Sequence, residues 1–339
     1  MQALVLIAPR EFELQEIPAP APGRHEVLLA VQAVGICGSD VHGMTGSTGR
    51  RIPPIIMGHE AAGTIMAVGP ESDPNWVGKR VTFDSTIYCG RCEFCVRGQI
   101  NLCADRKVLG VSCEEYSLNG ALAEFLVVPE HVLHELPAGV SFEHGAMTEP
   151  LSVALHAVRL AGLSAEKRVL VVGCGIIGLL TIQAARATGC GTILATDLSP
   201  RRLEMARLCG ADTAIQPGEL HDEPEVDVAF EAFGSAKTVK TAIGKLCKGG
   251  TVVLIGNLAA EVPFPLQTVV TRQITVRGSC ASSGEYPDCL DLIAGGAVNL
   301  APLISDVVTL EEAAGMFEEI HSNPDEHLKV IVRPGGTRV

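Results

Sequence analysis

Cys89, Cys92, Cys95 and Cys103 crowd four thiols into the pattern C-x2-C-x2-C-x7-C, and such a stretch must fold around something. One tetrahedral ion satisfies four thiolates at once, and a closed four-cysteine set is the usual form of a structural zinc site. Disulfides need an oxidising compartment, which nothing in the sequence indicates: the apolar run from Ala3 to Ala8 is short and is cut by Pro9 and Arg10. Ferredoxin-type iron–sulfur motifs open in the same way but close after three residues with a proline. Here the last gap is seven and Ala104 follows. The spacing selects zinc, in a lobe spanning residues 88–104.

A chain of 339 residues is long enough for two cores. Its net charge of −13 argues against a nucleic-acid or anionic-membrane partner, because both demand a concentrated positive field. Twelve cysteines without a secretory signature read as metal ligands or incidental thiols in a reducing cytoplasm. The longest apolar stretch, Val169 to Ile182, is shorter than a membrane span and holds three glycines. The expectation is a soluble, cytoplasmic, two-domain protein.

Short β-rich runs at 27–34, 61–68, 80–83 and 121–128, separated by Gly and Pro turns, predict an antiparallel barrel or sandwich over residues 1–150. From Leu151 the pattern changes. Apolar strands at 168–173, 192–197, 213–216, 226–232, 251–256 and 274–279 alternate with helical segments. One helix has Ser199 as N-cap, Pro200 at its first position and Gly210 beyond its end; another starts at Ser235 and should stop at Gly249. This alternation predicts an α/β domain with a doubly wound, parallel six-stranded sheet over 151–280. Residues 281–339 are too few to stand alone and are expected to return to the first domain.

Gly173, Gly175 and Gly178 form G-x-G-x-x-G between a strand and a helix, the context in which this motif cradles a dinucleotide pyrophosphate. Gly173, Gly175, Ile176, Ile177 and Gly178 are therefore candidate cofactor contacts, with helix N-terminal amides facing the phosphates. Asp197, 24 residues after Gly173, can accept from adenine-ribose hydroxyls and would repel a 2′-phosphate, which favours NAD over NADP. Arg202 is placed to stack on adenine or hold the ribose, and Gly256 to give backbone contacts to the nicotinamide half.

A second metal constellation comprises Cys37, His59 and Glu60, with Ser39 and His42 two and five residues after Cys37. That spacing sets a hydroxyl beside the metal and an imidazole one turn further out. With these residues in place, the chain resembles the zinc-dependent medium-chain alcohol and polyol dehydrogenases, most closely their sorbitol and sugar-alcohol branch. The resemblance rests on GICGSDVH (35–42), GHEAAG (58–63), the cysteine lobe, EPLSVALHA (149–157), GCGIIG (173–178) and TDLSPRR (196–202), in order through roughly the first 200 residues.

The resemblance implies a GroES-like β-barrel catalytic domain (1–150 and 281–339) with a Rossmann domain inserted, NAD as cofactor and two zinc ions per subunit, one catalytic and one structural. It implies Cys37, His59 and Glu60 as catalytic ligands and Asp40 as the carboxylate orienting the histidine. Glu149 is then either a further ligand, directly or through water, or a carboxylate at a helix N-terminus. The implied reaction oxidises a secondary alcohol of a polyol to a ketone, or the reverse, with a proton path from Ser39 through the nicotinamide ribose to His42. A homotetramer or dimer is implied as well.

The branch usually carries an aromatic residue at the position of Gly43 and an Arg-Tyr pair at those of Ala281 and Ser282, so its sugar clamps are missing here. Arg50 and Arg51 read either as solvated surface or as an anion clamp. A phosphorylated, galactitol-phosphate-like substrate is thus an alternative to a free polyol, and a catalytically silent nucleotide-binding homologue is a third reading.

Overall fold

The β-rich runs of the N-terminal part assemble into one seven-stranded sheet. Its order is Leu133–Glu135, Arg80–Phe83, Glu60–Val68, Glu26–Gly35, Lys329–Arg333 and Ile304–Thr309, with Phe125–Pro129 added onto Glu26–Gly35. The structure, a computed structural model, describes residues 1–335. Every pairing in this sheet is antiparallel except that between Ile304–Thr309 and Lys329–Arg333. Val27, Leu29, Val31 and Val34 of the central strand are buried in one core with Ile65, Phe83 and Phe317.

The C-terminal strand has a local consequence. Gly35 pairs with Glu60 on one side and with Ile331 on the other. A Cβ on Gly35 would lie 2.2 Å from Glu60 Oε2, so the missing side chain is what lets the carboxylate cross the strand toward the returning segment. Beside it, the short helix Gly38–Gly43 begins at Cys37.

The second sheet has six strands, all parallel, in the order Thr213–Ile215, Ile193–Thr196, Val169–Val172, Val226–Glu231, Leu246–Leu254, Thr275–Gly278. Val169–Val172 is buried at every position, as an unbroken apolar strand covered on both faces must be. The order reverses between Val169–Val172 and Val226–Glu231, which is where doubly wound sheets bind ligands. The chain divides into two compact units. One holds Met1–Glu149, Tyr286–Ala294 and the chain from Leu300 on; the other holds Pro150–Glu285 and Gly295–Asn299. Among the described residues, no helix is long and apolar enough to cross a membrane.

One local expectation is corrected. The helix that Ser235 caps ends at Lys245, not at Gly249, and the strand Leu246–Leu254 follows directly. Leu246 is fully buried and pairs with Val226, so burial draws the chain into the sheet before the glycine is reached. Ser199 occupies the N-cap of Pro200–Leu208, but its side chain makes no capping bond; its backbone N–H donates instead to Asp197 Oδ1 at 2.9 Å.

Gly178 has no room for a side chain: a Cβ there would lie 1.8 Å from the Gly173 carbonyl oxygen. Gly178→Ala must open this turn, at a cost of about 1–3 kcal/mol typical of overpacking. The expected outcome is a lowered Tm together with weakened dinucleotide binding, read by calorimetry and by cofactor titration.

Candidate metal centre and cofactor loop

Cys37, His59 and Glu60 bring one ligand atom each to within 4.8 Å of one another. Cys37 comes from the start of the short helix, His59 from the loop before the Glu60–Val68 strand, and Glu60 from that strand's first residue. His59 and Glu60 are buried. His59 Nδ1 faces Asp40 Oδ2 at 3.3 Å; the pair is poorly aligned for a hydrogen bond, and neither atom has another partner. That orientation leaves Nε2 as the nitrogen for a metal.

The electrostatics call for a cation. Burial disfavours a charged imidazole, yet Asp40 and Cys37 attract positive charge strongly enough to hold the His59 pKa well above its ordinary value. Burial likewise disfavours ionised Asp40, but His59 and Arg51 overcome it and keep the carboxyl well below the usual carboxylate range. A soft thiolate, an imidazole and a carboxylate gathered in one place suit zinc.

Two cations escaped sequence reasoning in this role. Lys329, fully buried on the returning strand, donates from Nζ to Glu60 Oε2 at 2.5 Å and to the Ile36 carbonyl at 3.0 Å. Burial opposes its charge, but Glu60, Cys37 and Glu149 together outweigh burial and raise its pKa. Arg51 is buried too, and both Nε and Nη2 donate to Asp40 Oδ1, at 2.8 and 2.6 Å. This corrects the reading of Arg51 as a solvated or substrate-binding arginine; Arg50 alone is exposed.

Ser39 is exposed, and its hydroxyl donates to Cys37 Sγ at 3.3 Å. His42, one turn on, is exposed as well; partial burial and the neighbouring His321 lower its pKa. Glu149 stands in the first turn of Thr148–Ala161 and accepts from Ser85 Oγ at 3.3 Å. It lies outside the three-residue ligand set, but burial, opposed by His59 and reinforced by Glu60, raises its pKa to about 7.

The four cysteine sulfurs also lie within 4.8 Å of one another. Cys92 Sγ is 3.5 Å from Cys95 Sγ and 3.9 Å from Cys103 Sγ. Those distances bracket the ~3.8 Å edge of a tetrahedron with Zn–S bonds of ~2.3 Å. Backbone N–H groups of Cys89, Cys92 and Asp105 donate to sulfurs at 3.3–3.4 Å. Amide donors bring the Cys92 thiol down to about 6, while desolvation pushes Cys95 up to about 12. Four thiolates cannot coexist at neutral pH without a shared cation, so the donor set fits zinc here as well.

In the second unit, Gly175 is the N-cap of Ile176–Ala187, with Ile176 and Ile177 opening the helix. Asp197 Oδ2 accepts from Cys174 N at 2.7 Å and Oδ1 from Ser199 N. Arg202 lies on the helix that follows. A Cβ on Gly256 would lie 2.2 Å from the Phe233 carbonyl carbon, so this glycine is needed for close packing of two loops whatever it does for a cofactor.

Residues 23–138 match the family profile "Alcohol dehydrogenase GroES-like domain" and residues 177–295 match "Zinc-binding dehydrogenase". The chain is 34% identical to sorbitol dehydrogenase of Bacillus subtilis, over 98% of this chain and 97% of that one. It shares a TM-score of 0.90 and 28% identity with galactitol-1-phosphate dehydrogenase of Escherichia coli, covering 98% and 100% of the two chains. A protein of Sinorhizobium meliloti 1021, described as a zinc-binding dehydrogenase and solved bound to NADP, gives 0.89 and 32%, over 98% and 99%. The fold is therefore that of a zinc-binding dehydrogenase, a GroES-like domain joined to a Rossmann-like parallel sheet. The chain belongs to the zinc-dependent alcohol and polyol dehydrogenase family and is an oxidoreductase.

Lys329→Met leaves the Glu60 carboxylate buried without its cation, a change that typically costs about 3–5 kcal/mol. Adding Glu60→Gln should recover most of the lost thermal stability while leaving activity absent. Calorimetry and turnover on the single and double variants check both halves.

Proposed function

We propose that the protein interconverts a secondary alcohol of a polyol and the corresponding ketone, with NAD as hydride acceptor, one zinc at Cys37, His59 and Glu60 and one in the cysteine lobe. The observation that carries this reading is the ligand set itself, gathered within 4.8 Å with both neighbouring carboxylates cation-paired. We assign the metal chemistry to the first unit and the cofactor to the second.

A zinc ion held there supplies a Lewis acid that lowers the pKa of a substrate hydroxyl. The chain's own residues do the rest. Ser39, whose hydroxyl touches the Cys37 sulfur, is placed to relay the released proton. His42, with its lowered pKa, is neutral at neutral pH and can pass that proton to solvent. Glu149, with its pKa near 7, is a further proton-holding group in the same unit. In the second unit, Gly173–Gly178 and the helix amides receive the pyrophosphate, Arg202 supports the adenosine, and Asp197 accepts from the ribose. Each Asp197 oxygen has one backbone donor and so keeps a second lone pair. The negative charge at that strand end is what favours NAD over NADP.

A free polyol is favoured over a sugar phosphate, because Arg51 is spent on Asp40 and is closed to a phosphate. Recombinant protein offered a panel of polyols and sugar-alcohol phosphates with NAD and NADP should form NADH with the polyols. Zinc-loaded protein inert with every one would turn the assignment to a silent nucleotide-binding homologue. Ser39→Ala should slow turnover much more than His42→Ala, since water can replace the outer group of the relay; equal, negligible losses would remove both from the path.

The strand Thr275–Gly278 ends its sheet with all four residues exposed, and the helix before it exposes Leu266 and Val270. An unpaired edge strand is a template for a second strand, and we assign it to a homo-oligomer, a dimer or tetramer. Val276→Lys should then shift the mass by light scattering toward the monomer. The metal-ligand spacing of four of the twelve cysteines suits a reducing cytoplasm.

A further inference from the structure

Among the described residues Arg51 is the only buried arginine, although it sits in a loop, GSTGRR, whose composition belongs to the surface. The backbone around it is stitched in place: Ser112 N donates to the Arg50 carbonyl at 3.2 Å and Ile52 N to the Ser112 carbonyl at 3.0 Å. The guanidinium is fully directed. Nη1 donates to the Arg50 carbonyl at 2.9 Å, while Nε and Nη2 both take Asp40 Oδ1. One carboxylate oxygen is thereby occupied twice, and the other, Oδ2, is left facing His59 Nδ1.

The stem of the same side chain runs over Gly43. A Cβ built there would lie 2.4 Å from Arg51 Cγ and 3.3 Å from Arg51 Cβ, atoms near the root of the side chain that cannot swing aside. Gly43 ends the helix that carries Ser39 and His42 and has no left-handed backbone to explain it. Its smallness is a matter of space.

We propose that Arg51 is a positioning residue for the metal centre: it locks the rotation of Asp40 so that one oxygen fixes the His59 ring, and Gly43 is glycine in order to admit its stem. The proposal rests on the reading that Cys37, His59 and Glu60 hold the catalytic zinc. Groups that orient a ligating histidine typically change metal affinity by about 10–100-fold when removed. A planar fork donating twice to one oxygen fixes an angle that a lysine, a single point charge, does not.

The experiment is a competition for zinc. Purified full-length protein is equilibrated with chelators of graded strength, and zinc per subunit is measured by elemental analysis alongside Tm and NAD binding. Wild type should hold two zinc ions. Arg51→Met keeps the stem but loses the fork; it should release the catalytic ion at least ~10-fold more readily while retaining the four-cysteine ion and binding NAD as before. Arg51→Lys should fall between.

Gly43→Ala removes no charge and adds a better helix former, yet should weaken the same ion by displacing Arg51. In an Asp40→Asn background, Arg51→Met should add little further loss, because the arginine acts through the aspartate. Arg51→Met with wild-type retention of both ions overturns the inference, as does a double variant that loses markedly more than Asp40→Asn alone. A Gly43→Ala protein with intact zinc affinity and raised Tm overturns the steric link. If Arg51→Met does not fold, Gly43→Ala and the Asp40 pair decide the matter. Wild type that takes up only the cysteine-lobe ion overturns the metal-centre reading itself, and the inference with it.

Discussion

Two carboxylates, Asp40 and Glu60, are buried within one small region of the first unit, and each survives there because a buried cation touches it. Neither pair is a stability device in the ordinary sense. Desolvating four charges consumes most of what their attraction returns, and an apolar packing of the same volume would hold the fold as well. What the pairs provide is a site in which ligand charge is already balanced. An ion held by Cys37 and His59 would then meet surrounding anions that are already neutralised, and would keep its own positive charge.

This balance also gives a reason for the chain's path. Lys329 reaches Glu60 only because the C-terminal segment comes back as a strand beside Glu26–Gly35, and only because Gly35 leaves the lane between them open. The return of Lys329–Arg333 to the first unit thus bears on the candidate metal centre. A domain ending at Glu149 would have the ligands but not the cation that permits one of them to be buried.

What could be read in the sequence follows the distance over which each feature acts. The cysteine lobe, the glycine turn and the Cys37–His42 segment are local, so spacing alone places their atoms together. Six strands alternating with helices required the parallel sheet that is found. Lys329 was illegible for the opposite reason: it sits 269 residues from Glu60, in a run that reads simply as a strand. Arg51 was misread because the loop around it has a surface composition, and only the pairing of that loop with Ser112 carries it inward. The helix expected to reach Gly249 stops four residues sooner because burial of Leu246 outranks a local stop signal.

The second unit repeats the economy of the first with backbone in place of side-chain cations. Asp197 follows and Glu231 ends the two strands that flank Val169–Val172, and both direct oxygens to main-chain N–H groups. Asp197 ties Cys174 and Ser199; Glu231 Oε1 ties Phe233 at 3.1 Å and Gly234 at 2.8 Å, while its carbonyl takes Ile255 and Gly256. Loops that would otherwise lose entropy when a dinucleotide binds are therefore already ordered at the carboxyl ends of the strands. The buried Glu231 Oε2 has no hydrogen-bond partner among the described residues. An unsatisfied oxygen at the point where strand order reverses is tolerable only if something polar fills it.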